Sequence, residues 1–168
     1  LAVGLLLVVL GTGYFFINLT IFDRTFIQLN TSQKLSYIPF KKGLNMQCDK
    51  ASDLVPKLTG SRFHLITWNV HKGQDKGWQD DLARLSNQAD FVLLQEATQH
   101  QNLSAFSTAL FVSSFSFKDL LSGVKTFTKT QPEWYCGGGV AEPLVQIPKV
   151  ASVMSFPLEK GDSLLLIN

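Results

Sequence analysis

The chain has 168 residues and a mass of 18.7 kDa, the size of one ordinary domain. Charged residues are only 17% and hydrophobic residues 45%, which excludes a disordered chain, and 15 Lys+Arg against 13 Asp+Glu excludes a strongly basic nucleic-acid module. Two cysteines, Cys48 and Cys136, cannot make a disulfide scaffold, and with no CxxC spacing they read as free thiols.

The shortage of charge is local: residues 1–22 carry none. About 20 apolar residues at about 1.5 Å each cover a hydrocarbon core of about 30 Å, so Leu1 to Phe22 predicts a transmembrane helix. A signal peptide would have a shorter apolar region and a small-x-small cleavage site, and a buried core helix would show a polar stripe. The chain starts at Leu1 with no flanking charge, as a fragment cut in or just before a hydrophobic segment would. From Arg24 to Lys76 there are nine basic and three acidic residues, and from Gly77 to Asn168 six basic and nine acidic. The basic stretch reads equally as a solvated linker or as a contact for anionic lipid headgroups. Arg24, Lys34, Lys41 and Lys42 after the apolar run lean the C-terminal domain to the cytoplasmic side of a membrane, with the periplasmic side as the alternative.

Residues 23–61 read as a connector broken by Pro39, Gly43, Pro56 and Gly60. Arg62 to Val70 (RFHLITWNV) has strand length and strand residue types, and Gly73 and Gly77 break it. Trp78, Leu82, Leu85 and Ala89 then recur at helical spacing, and Phe91 to Leu94 forms a second apolar run ending in Gln95-Glu96. This predicts a strand–helix–strand unit with parallel strands. Both strands then end on one sheet edge, where ligands bind in open α/β sheets, and that edge receives Asn69 and Glu96. A further helix is expected over Gln99 to Leu110 from Leu103, Phe106 and Leu110. Beyond it, 111–117 and 124–129 alternate as strands do, 150–156 and 164–167 form two more strands around a turn at Gly161, and Gly137-Gly138-Gly139 reads as a flexible loop.

His64, His71 and His100 lack metal-ligand spacing. Gly161-Asp162-Ser163-Leu164 spells a lipase motif, but no His follows to act as base. Asn69 and Glu96 remain as the candidate site. Glu96 is either an exposed carboxylate at a strand end or a Mg²⁺ ligand, since that ion prefers hard oxygens and is commonly held by one or two carboxylates plus substrate phosphate. Asn69 beside it could orient metal-bound water or a phosphate oxygen.

Trp68-Asn69-Val70, followed by Asp90-Phe91-Val92-Leu93-Leu94-Gln95-Glu96, resembles the opening of the endonuclease/exonuclease/phosphatase family. The stretch from Phe63 to Thr98, with His-Lys-Gly after Trp-Asn-Val, is most similar to a little-characterised bacterial branch. Ser122-Gly123-Val124 and the closing Leu165-Leu166-Ile167-Asn168 resemble that branch more loosely. The resemblance implies an α/β fold, the N-terminal half of a four-layer DNase I-like sandwich over 62–168. It implies Mg²⁺-dependent phosphoester hydrolysis, with Mn²⁺ as a substitute ion. Glu96 and Asn69 would be the metal-site and catalytic residues, and Asn168 would border the next catalytic strand as a substrate-binding residue. The family's later Gly-Asp-x-Asn and Asp-His motifs are absent, so this chain alone is expected to be inactive. Three functions stay open: a membrane-anchored nuclease or phosphatase of a bacterial inner membrane, a phosphodiesterase acting on lipid headgroups, and a non-catalytic membrane-tethered interaction protein. The implied partners are a phosphoester (nucleic acid, phospholipid or small phosphate ester) and a membrane, with no obligate protein partner.

Overall fold

The computed structural model describes residues 2–31, 35–38, 46–142 and 147–168. Lys34, Lys41 and Lys42 of the basic stretch, with Pro39 and Gly43, lie outside them. Two sheets face each other. The six-stranded sheet has the order β2 (Leu35–Tyr37), β1 (Leu19–Thr31), β6 (Thr108–Phe117), β7 (Leu120–Thr128), β5 (Phe91–Thr98), β4 (Leu65–Asn69). The four-stranded sheet has the order β10 (Ser163–Ile167), β9 (Pro148–Pro157), β8 (Trp134–Ala141), β3 (Met46–Lys50). Among the described strands β4 and β5 pair in parallel and the other pairs are antiparallel; an isolated parallel bridge joins Leu58 to Leu158.

The alternation of β5 explains the layering. Phe91 and Leu93 point into a core shared by the two sheets, with Ile27, Leu29, Val112, Met154 and Phe156. Val92 and Leu94 point the other way, into a second cluster with Leu82 of helix α2 (Trp78–Ser86), Val70, Leu103 and Phe127. A strand covered on both faces reads as an unbroken apolar run, and Phe91–Leu94 is one. The crossover from β4 through α2 to β5 has the predicted parallel register, Asn69 opposite Gln95.

Several expectations are corrected. The apolar N-terminal segment forms helix α1 only over Ala2–Asn18, 17 residues, or about 25 Å at the helical rise. It then turns into β1, because Leu19, Thr20 and Ile21 pair with Phe117, Ser116 and Phe115 of β6. Among the described residues no helix is long and apolar enough to cross a membrane, so the transmembrane helix over 1–22 and the membrane localisation built on it are not supported. The boundary at residue 23 also disappears: β1 runs through it, and β2 and β3 turn much of the expected connector into sheet.

The DNase I-like four-layer α/β sandwich is overturned as well. The described chain is 50% strand and 19% helix, with two α-helices. The second covering helix expected over Gln99–Leu110 does not form. Leu103 and Phe106 sit on a loop and are buried under the six-stranded sheet, while Leu110 belongs to β6. Their helical spacing came from burial of a loop.

Two further segments read differently once the sheets pair. Gly137-Gly138-Gly139 lies inside strand β8, not in a flexible loop. A Cβ on Gly137 would lie 2.7 Å from Ile27 Cγ1 and 2.9 Å from Val112 Cγ2, so the glycine admits side chains of the facing sheet. Cys48 and Cys136 sit opposite each other in the β3–β8 pair and form a disulfide, replacing the free thiols expected from their distance in sequence.

Candidate functional site

Parallel pairing brings the ends of β4 and β5 to one edge, and a bulge then aims the side chains. Between β5 and β7 the register passes from Leu94 opposite Lys125 to Ala97 opposite Gly123, leaving two residues, Gln95 and Glu96, against one. Strict alternation would turn Glu96 towards the apolar α2 side. The bulge instead lets Leu94 and Ala97 both face that cluster and leaves Gln95 and Glu96 lining one cleft. Glu96 has φ +47°, a left-handed conformation that costs a residue with a Cβ about 1–2 kcal/mol. His71 and Lys72, in the 3-10 turn after β4, are left-handed too, with φ +46° and +56°. Backbone strain of this kind collects at functional sites.

The side chains meet. Asn69 Nδ2 donates to Glu96 Oε1 at 3.0 Å, and Lys72 Nζ donates to Glu96 Oε2 at 3.0 Å. The Asn69 amide oxygen accepts the His71 backbone N–H at 3.0 Å, so it faces the turn and not the carboxylate. Asn69 therefore orients Glu96. The Asn69 hydrogen bond, followed by the Lys72 ammonium, holds the Glu96 carboxyl below the usual carboxylate range. The Val70 N–H donates to Gln95 O at 3.0 Å and closes the turn onto β5.

Asn168 lies behind this cleft. Its Oδ1 accepts from Gln95 Nε2 at 2.6 Å, and its Nδ2 donates to Leu94 O, Lys125 O and Thr126 Oγ1 at 3.2, 3.3 and 3.1 Å. Its hydrogen bonds tie the last strand to the six-stranded sheet and fix Gln95. It is not among the lining residues.

The cleft has a volume of about 430 Å³ and is lined by Asn69, Lys72, Gln95, Glu96, Ser122, Gly123 and Lys149, with an apolar wall of Phe115, Val124, Ile147, Pro148 and Val150. Sequence reading missed Lys72 and Lys149. The signal for Lys72 was its place in the His-Lys-Gly turn directly after the first strand; Lys149 comes from the other sheet and left no local signal. Among the described residues no group of three or more His, Cys, Asp or Glu side chains gathers, which corrects the expectation of a metal-binding centre within this chain. The nearby acids are used elsewhere: Asp75 lies 3.6 Å from His71 Nδ1, and Asp90 accepts the His64 backbone N–H at the far end of the strands.

No family model and no solved structure matches the chain. It is 33% identical over 132 residues to a UPF0294 protein of Yersinia pseudotuberculosis, covering 75% of this chain and 51% of the relative. It is 30% identical over 119 residues to a UPF0294 protein of Photorhabdus laumondii (67% and 46%), and 30% identical over 112 residues to one of Vibrio vulnificus (64% and 39%). The names of these relatives state no activity. The chain spans about half the length of the curated relatives it matches, and it is similar to the UPF0294 proteins over that part.

Proposed function

We propose that this cleft binds a phosphoester and contributes to the site of a Mg²⁺-dependent phosphoester hydrolase, with Mn²⁺ as a substitute ion. One observation carries the reading. An ionised carboxylate, pinned on a strained bulge by Asn69, shares a single cleft with two lysines, Lys72 and Lys149, contributed by different sheets. A phosphoester needs cationic groups to hold its oxygens, and its hydrolysis needs charge neutralised at phosphorus.

Glu96 is the one carboxylate among the described residues that line the cleft, so these residues would give a Mg²⁺ ion at most one charged ligand and do not form a metal site by themselves. Glu96 would hold the ion, which when bound supplies charge neutralisation and a more acidic water. Asn69 holds Oε1 and Lys72 holds Oε2, so an ion would reach Glu96 only in place of the Lys72 ammonium. Lys72, 3.0 Å from Glu96 Oε2, and Lys149, 3.4 Å from Glu142 Oε1, would exchange these carboxylate partners for the phosphate oxygens. Nucleic acids, phospholipid headgroups and small phosphate esters all present such an oxygen, so the substrate class is the phosphoester itself.

Binding tests this without requiring turnover. Dimethyl phosphate titrated into the chain with Mg²⁺ should shift the backbone amide resonances of Lys72, Gln95, Glu96 and Lys149 together. Glu96→Gln should abolish the Mg²⁺ dependence of those shifts. Shifts confined to other residues, or equal with and without Mg²⁺ in both proteins, would refute the reading.

A further inference from the structure

Two bulges shape the cleft, one on each side of β7. On β5 the bulge turns Glu96 inwards beside Gln95. On β6 the register passes from Ser113 opposite Gly123 to Phe115 opposite Ser122, which leaves Ser114 as the extra residue. Val112 points into the core between the sheets, so strict alternation would send Phe115, three residues on, to the opposite face. Ser114 still points inwards, its hydroxyl donating to Pro148 O of β9 at 3.0 Å, and after the shift Phe115 lines the cleft as well. The half-buried Phe115 belongs to neither hydrophobic core cluster. With Val124, Ile147, Pro148 and Val150 it gives the cleft one apolar wall. The charges on the other side are matched: Lys72 lies 3.0 Å from Glu96 Oε2, and Lys149 lies 3.4 Å from Glu142 Oε1. The described residues therefore give the cleft no surplus of positive charge with which to draw in a polyanion such as nucleic acid. Its volume of about 430 Å³ suits a small ligand.

We infer that the cleft selects a phosphodiester carrying a short apolar arm, alkyl or aryl, with the phosphate on the lysine side and the arm laid against the Phe115 wall. The inference rests on the function proposed above and narrows its substrate class. At either lysine the phosphate replaces a carboxylate, one anion for another, so that exchange by itself gives weak binding. Removal of the arm and of the Phe115 ring from water supplies the rest, and it does so only for an ester with an apolar substituent. Phe115 is then the specificity-determining residue.

Four ligands test this, titrated into the chain with and without Mg²⁺ and followed by backbone amide shifts: dimethyl phosphate, dibutyl phosphate, glycerophosphoglycerol and a short oligothymidylate. Dibutyl phosphate should bind at least about tenfold tighter than dimethyl phosphate, as burial of a few methylene groups gives, and should shift Phe115, Val124 and Val150 together with Lys72 and Lys149. Glycerophosphoglycerol, a lipid headgroup without its chains, and the oligothymidylate should bind no tighter than dimethyl phosphate. Phe115→Ala should bring the dibutyl-to-dimethyl ratio down to about threefold or less, on the same scale. Val150→Ser should lower the ratio too, and keeps the test open if loss of the ring disturbs the bulge. The apolar arm is overturned by a ratio near one in the wild type, by a ratio unchanged in both variants, or by dibutyl phosphate shifts confined to residues outside the cleft. Tighter binding of the headgroup or the oligonucleotide than of dibutyl phosphate overturns it as well. In each of these cases dimethyl phosphate shifts at Lys72 and Lys149 leave the proposed function standing. If no ester shifts Lys72 or Lys149 under either condition, the proposed function falls, and this inference with it.

Discussion

Gly123 is the position where one methyl group should do most damage. It sits on β7 opposite Ser113 of β6 and Ala97 of β5, beside the Glu96 bulge and beside a second register shift between Ser113 and Phe115. A Cβ there would lie 1.9 Å from the Val112 carbonyl oxygen, 2.9 Å from its carbonyl carbon and 3.0 Å from Ser113 Cα. Ordinary contact begins at 3.4 Å, so β6 and β7 would have to part by more than an ångström. All three atoms are backbone, and none can rotate away. Overpacking a core typically costs about 1–3 kcal/mol, and a clash against backbone belongs at or above the top of that range. Gly123→Ala should therefore destabilise the fold by about 3 kcal/mol or more, roughly 6–12 °C in melting temperature for a domain of this size. Parting the strands also moves the partner of Ala97, so the re-aimed Glu96 should lose its contact with Asn69. Thermal and urea denaturation measure the first effect, and Mg²⁺-dependent amide shifts at Glu96 the second. Gly137→Ala is the comparison: its Cβ meets side-chain atoms of Ile27 and Val112, and it should cost less. A Gly123→Ala protein within 1 kcal/mol of wild type, by the usual ±0.5 kcal/mol scale of neutral substitutions, would refute the steric argument.

Two other outcomes follow from buried groups and from the crosslink. The Cys48–Cys136 disulfide closes a separation of 88 residues, for which chain-entropy loss in the unfolded state is worth about 4.6 kcal/mol; a urea midpoint unchanged by reductant, or by Cys48→Ser with Cys136→Ser, would contradict this. Burial pushes the Lys125 ammonium down to about 8, where it is 7% exposed, donates to the carbonyls of Gln99 and Gln101, and lies over the rings of Phe111 and Phe127. Between pH 8 and about 10 the unfolded amine keeps its proton while the folded one loses it, so the unfolded state binds more protons and stability should rise with pH, by about 2 kcal/mol. Above that window burial, with the Asp49 charge, holds the Tyr135 phenol up at about 12, so the trend should reverse as the unfolded phenol ionises first. Denaturation at unit pH steps should show the rise in wild type and a flatter profile in Lys125→Met; equal slopes would remove Lys125 as its cause.

The part of the candidate site that was legible came from local periodicity. In 62–96 the strand and helix periods follow one another, and a helix crossover between two strands makes them parallel, so Asn69 and Glu96 had to arrive at one edge. The antiparallel strands β9 and β10 were equally readable, because alternation and the turn at Gly161 (φ +92°) are short-range features. The aim of Glu96 was not readable. It depends on a bulge that exists only because β5 pairs with β7, and no pattern within β5 marks it. Lys149 reaches the cleft from the opposite sheet, so its role depends on the packing of the two sheets.

The same division holds for the fold. By itself, the sequence determined strands β4, β5, β9 and β10 and parts of β6 and β7, where α2 lies and which two polar groups end side by side, since each follows from side-chain spacing along a few residues. Tertiary structure decided that the apolar run after Asn18 becomes strand, that Leu103 and Phe106 are buried on a loop, and that Gly137 lies in a strand against the facing sheet. It also decided that Cys48 meets Cys136. In each case the deciding partner lies far away in the chain: β6 supplies the hydrogen bonds of β1, Ile27 and Val112 occupy the space at Gly137, and β8 places one cysteine opposite the other. Apolar residues require burial or a nonpolar medium but do not specify which, and only the pairing of distant strands makes that choice.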